Sequence, residues 1–120
     1  MSELNQFFGL LLTHFMGDFV LQSHWMASNK SKRLDALALH VATYTALLAF
    51  AAAIIFGLSV ATISFVFVNG VLHFAVDGFT SRVTSRLWQQ QRWHDFFVVV
   101  GMDQLMHQAT LAGTMVLIFP

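Results

Sequence analysis

Three histidine–aspartate pairs mark this chain, each with its members four residues apart: His14 with Asp18, His73 with Asp77, and Asp103 with His107. Residues at that spacing share one face of an α-helix, with Cβ atoms about 5–6 Å apart. A fourth imidazole, His40, has Tyr44 one turn further along, and Asn69 lies one turn before His73. Imidazole and carboxylate together are ligands for zinc, manganese or iron. The seven groups His14, Asp18, His40, His73, Asp77, Asp103 and His107 supply enough donors for one or two divalent ions. Such an ion lowers the pKa of bound water and polarises an ester or phosphoryl oxygen. Any of Asp18, Asp77 and Asp103 not spent on ligation can serve as general base. The chemistry expected of this set is metal-dependent hydrolysis.

The elements that must position these groups are set by composition. The chain has 120 residues, 57% hydrophobic and 10% charged. A soluble domain is nearer half apolar and a quarter charged, and disorder needs the opposite balance. The formal net charge of +0 gives no basic surface, so no nucleic-acid partner is expected. The absence of Cys excludes disulfides, thiolate metal sites and Cys nucleophiles. A membrane-spanning helix needs about 20 mostly apolar residues. Four stretches fit, at about 4–21, 37–56, 60–79 and 96–119. The first lacks the basic leader and cleavage pattern of a secretion signal. The expected fold is therefore all-α, a polytopic membrane protein with a four-transmembrane-helix bundle in one domain, 1–120. Gly57-Leu58-Ser59 makes the second and third helices antiparallel neighbours. Ser23 to Asp35 reads as a polar loop with room for a short interfacial helix. Thr80 to Trp93 reads as an extension of the third helix beyond lipid.

Three acids inside spans demand a reason. An Asp at a helix centre costs roughly 2.5–3.5 kcal/mol, whereas a Leu or Phe returns about 0.3–0.6. All six basic residues lie in two loops: Lys30, Lys32 and Arg33 in one, Arg82, Arg86 and Arg92 in the other. Basic loops stay in the cytoplasm, so both termini are expected on the far side. Trp25, Trp88 and Trp93 sit in the same loops, at the expected headgroup level. Counting inward at about 1.5 Å per residue puts each Asp nearer the cytoplasm than its His. The result is an acidic rim over an imidazole floor. Gly9, Thr13 and Gly17 form a small-residue stripe suited to close packing. The third helix lacks one, since Gly70 and Gly78 flank Phe74.

The run Leu12-Thr13-His14-Phe15-Met16-Gly17-Asp18-Phe19-Val20-Leu21-Gln22, with Trp25, Met26 and Lys30, resembles the opening motif of a bacterial and phage membrane-protein family, domain-of-unknown-function family 3307. The resemblance continues through Leu39-His40, through His73 to Asp77, and through Asp103 to His107, covering nearly the whole chain. It implies an integral membrane protein and brings no established activity. More loosely, the His and Asp pattern is similar to that of inner-membrane metal-dependent hydrolases. The expectation is thus a multi-pass protein of the bacterial inner membrane that acts on a lipid or lipid-linked phosphate. The bilayer is its partner, and a homo-oligomer with a lipid-facing entrance is compatible with four short helices. Two other readings stay open: a proton or metal-ion pathway, and a non-catalytic membrane module that binds a partner.

Overall fold

The computed structural model describes residues 1–120. It is all-helical: α1 (Glu3–Phe15), a π-helical turn (Met16–Val20), α2 (His24–Asn29), α3 (Leu34–Phe56), α4 (Val60–Gln89) and α5 (Trp93–Ile118). Serines open three of these helices. Ser2, Ser23 and Ser59 accept hydrogen bonds from the backbone N–H groups of Asn5, Met26 and Thr62, satisfying donors that a helix N-terminus leaves free. Gly57 ends α3 at φ 81°, a left-handed conformation that suits a residue without Cβ. Thr62 then donates to the Gly57 carbonyl at 2.6 Å, which locks the link between α3 and α4.

The long helices form a ring. α4 packs on α3 and α5, and α1 closes the circle against α3 and α5. The short α2 lies over one end and sinks Met26 into it. α3 and α4 are long and apolar enough to cross a membrane. The two other expected spans do not meet that measure. α1 stops after 13 residues at the π turn, and α5 interrupts its apolar sequence with Asp103, Gln104, His107 and Gln108.

Burial is inverted relative to a soluble protein. Buried polar or charged residues are as numerous as buried hydrophobic ones, and include all seven candidate ligands. Phe8, Leu12, Phe50, Ile63, Phe67 and Leu117 are instead each more than 60% exposed. The main apolar cluster lies at one end, where Leu10, Tyr44, Leu48, Ala52, Phe65, Leu111 and Met115 pack together, while Met26, Leu37 and Leu87 are buried toward the other.

Two local features differ from expectation. The first helix does not run uniformly to residue 21, because Leu21 N–H reaches back five residues to the Met16 carbonyl at 2.8 Å. A π turn of this kind is one added residue in an α-helix. Close approach is also not limited to α1. A Cβ on Gly17 would lie 2.9 Å from the Tyr44 ring, and one on Gly70 would lie 2.9 Å from Thr45 Oγ1. The bulk of Phe74 did not prevent this, because α3 and α4 meet at the Gly70 level itself. Gly70→Val is expected to lower the unfolding midpoint in detergent, at a cost of about 1–3 kcal/mol. Gly101→Ala, which meets nothing within 4 Å, should leave the midpoint unchanged or raise it.

Candidate functional site

The polar layer sits at the α2 end of the bundle, and each of the four long helices contributes to it. α1 and its π turn bring His14 and Asp18, α3 brings His40, α4 brings His73 and Asp77, and α5 brings Asp103 and His107. The spacing of four along each helix does put both members of a pair inward. The principal contacts nevertheless run between helices. Asp18 Oδ1 lies 3.0 Å from His40 Nε2 and 3.2 Å from His73 Nε2. Asp77 Oδ2 lies 3.1 Å from His40 Nε2 and 2.9 Å from Lys30 Nζ, and Asp77 Oδ1 lies 3.8 Å from His107 Nε2. Within helices, His14 Nε2 is 3.5 Å from Asp18 Oδ2 and His107 Nε2 is 3.2 Å from Asp103 Oδ1.

Hydrogen bonding alone leaves this layer incompletely satisfied. His40 Nε2 faces Asp18, Asp77 and His73 Nε2, the last at 3.2 Å. One ring N–H cannot serve three acceptors. Nδ1 of His40 and of His73 is buried without a hydrogen-bond partner, and Nε2 of His14 and of His107 faces its carboxylate neighbour outside hydrogen-bond geometry. Native interiors leave few such atoms, and each calls for an explanation, a water or ion among them. The donor atoms of Asp18, His73, Asp77 and His107 lie within 4.8 Å of one another, as do those of His14, His73 and His107. His40 and Asp103 belong to neither group. His40 instead links Asp18 to Asp77, and Asp103 accepts from Thr80 Oγ1 at 2.6 Å.

Aromatic stacking fixes the imidazoles. His73 lies between Tyr44, with centroids 3.9 Å apart, and His107, at 4.1 Å, both nearly parallel. Tyr44 therefore joins the layer to the apolar end. Asn69 does not join it, and bonds Thr114 across α4 and α5 at 2.8 Å. Above the layer is a polar hollow of about 120 Å³ bordered by Asp18, Asp77 and Asp103 but by none of the histidines. The expected acidic rim and imidazole floor are thus present as geometry. His24 and His94 are exposed, away from it.

Four contributors were not anticipated from sequence. Lys30, one of the basic residues that mark topology, also pairs with Asp77. Thr80 and Ser81 lie three and four residues beyond Asp77, so the helical stripe that carries His73 and Asp77 simply continues. Gln104 donates to Asp18 Oδ2 at 3.2 Å and to Asp103 Oδ2 at 3.1 Å. Its position beside Asp103 gave no separate signal. The Lys30–Asp77 pair is nearly dry, with side chains 16% and 2% exposed. A double-mutant cycle of Lys30→Met and Asp77→Asn, read by denaturant unfolding, should show a coupling of about 1 kcal/mol or more; additivity would mean that the contact contributes nothing.

No curated protein sequence and no solved structure matches the chain. A family model does, over residues 6–119, under the description "Protein of unknown function (DUF3307)". That match takes in α3, α4, α5 and all but the first residues of α1, with every member of the buried His/Asp layer, and the chain belongs to the DUF3307 family.

Proposed function

We propose that the chain is a four-span membrane protein whose His/Asp layer holds a divalent metal and hydrolyses a lipid or lipid-linked phosphate. The observation that carries this reading is the convergence of Asp18, His73, Asp77 and His107 below a polar hollow. Four donors drawn from three separate helical segments, with His14 beside them in an overlapping group, make a set suited to zinc, manganese or iron. The apolar exterior supports a lipid setting for all four long helices.

Bound there, a metal would supply an activated water at neutral pH. The chain's own groups divide the remaining work. His40, touching both Asp18 and Asp77, orients these ligands from behind. Asp103 stands outside the four-donor group and is the more exposed acid of the rim, its side chain 12% accessible against 3% for Asp18. Held by Thr80 and Gln104, it is placed to take a proton from water in the hollow. A transmembrane pathway has weaker support, because Leu10, Leu48, Phe65 and Leu111 fill the opposite end with no exposure. In this reading the basic links, around residues 30–33 and 82–92, face the cytoplasm, and both termini lie across the bilayer.

Protein purified without chelator should carry one or two divalent ions per chain by elemental analysis, and His107→Ala should hold less than half as much. A wild-type content well below one ion per chain sinks the proposal. Metal affinity should also fall as the pH is lowered, because protonated imidazole cannot ligate. Asp103→Asn should keep the metal while phosphate release drops by about 10²-fold or more. The lack of any Cys makes topology direct to test. Ser2→Cys and Lys32→Cys should react with an impermeant thiol reagent from opposite sides of the membrane, and labelling from one side would refute the four-span arrangement.

A further inference from the structure

Next to the acidic hollow lies a second, larger one of about 420 Å³ with the opposite character. Lys30 and Lys32 supply its charge, Ser31, Thr84 and Ser85 line it with hydroxyls, and no carboxylate borders it. Lys30, Ser81 and Thr84 border both hollows, so these three side chains form the boundary between the acidic and the basic compartment.

Ser81 is the most informative of them. It is buried, 7% exposed, and its hydroxyl has no hydrogen-bond partner. Its neighbours are satisfied: Thr80 Oγ1 bonds Val76 O and Asp103, and Thr84 Oγ1 donates to the Ser81 carbonyl. A serine in a helix can quiet its hydroxyl on the carbonyl four residues back, as Thr80 does, but Ser81 does not. The lysines are also unevenly committed. Arg33 pairs with Asp35 and Arg92 with Asp95, and Lys30 reaches Asp77, whereas Lys32 has no acidic partner. The Lys32 ammonium, free of any acidic partner, and the Ser81 side chain thus border the same hollow, walled on one side by Trp88 and Phe96.

We propose that this hollow binds the phosphate of a phosphomonoester, with Lys32 and Ser81 as ligands and Lys30 reaching it from the boundary. The assignment deepens the hydrolase reading, on which its role as substrate site rests, by naming the substrate class. The reacting phosphorus would face the acidic compartment, and an apolar remainder would lie along Trp88 and Phe96. In the hydrolysis, the oxygen of water forms the new bond to phosphorus while the bond from phosphorus to the ester oxygen breaks. The proton taken from water by Asp103 passes to the departing alkoxide, leaving an alcohol and inorganic phosphate.

The test uses the full chain in phosphatidylcholine nanodiscs with and without phosphatidic acid, and inorganic phosphate as the soluble probe. Wild type should retain phosphatidic acid over phosphatidylcholine in native mass spectrometry. Ser81→Ala and Lys32→Glu should each weaken that retention by about tenfold while leaving metal content unchanged. Displacement by inorganic phosphate supports the site with a soluble ester as its source; retention without displacement supports it with a lipid phosphate. No preference and no phosphate binding in wild type would overturn the proposal, as would unaltered binding in both variants. Failure of the two readings can be told apart. Ser81-dependent phosphate binding by a chain that carries no metal removes the hydrolase and leaves the phosphate site, whereas metal without phosphate binding does the reverse.

Discussion

The burial of Asp18 and Asp77 constrains the rest of the structure. Each is no more than 4% exposed, and a carboxylate removed from water must be met by hydrogen bonds or positive charge. No single helix of this bundle can provide enough. Asp18 draws on His40 from α3, His73 from α4 and Gln104 from α5. Asp77 draws on His40 from α3 and on Lys30 from the far end of α2. The ring order of the helices and the seating of α2 bring these partners to the two side chains.

The bundle is consequently divided along its length. One end is a dry plug around Phe65 and Leu111, and the other is a polar layer under an open hollow. Tyr44 joins them, with its ring stacked on His73 and its remaining surface among Leu10 and Leu48. The plug supplies packing that a polar layer cannot, since buried ion pairs often do no better than break even against their desolvation. An apolar exterior around a polar interior is costly in water. It becomes economical where the surroundings are hydrocarbon, and internal pairing then replaces most of the hydration the acids would have in water.

Much of the site was legible because helical spacing is rigid. His14 and Asp18, His73 and Asp77, and Asp103 and His107 had to share faces once their segments were helical, and acids in apolar segments had to turn inward. The rim and floor arrangement followed from counting residues along antiparallel helices. What periodicity could not give was the partner across a helix gap. Whether Asp77 meets His73 or His107, and whether Lys30 folds over the layer or points to solvent, depends on packing between elements distant in sequence. The approach of α4 to α3 at Gly70 was hidden by Phe74 for the same reason, since a residue count says nothing about which side a large ring leaves. The four-span expectation rested on hydropathy, and hydropathy favours α3 and α4. The polar residues that build the site dilute α5, and the π turn shortens α1.

The π turn at Met16–Val20 has an implication for how the chain can vary. Asp18 sits inside it, between His14 on one side and the strand of backbone leading to α2 and Lys30 on the other. The turn absorbs its extra residue at the end of α1, so His14 keeps its place on plain α geometry. One residue fewer there would shorten the path from His14 to α2, and the chain would have to give up contacts of Asp18 or of Lys30. This short stretch is therefore defined by its length as much as by its chemistry. Homologous chains that keep the layer should tolerate changes of side chain at Met16, Phe19 or Val20 more readily than a change in their number.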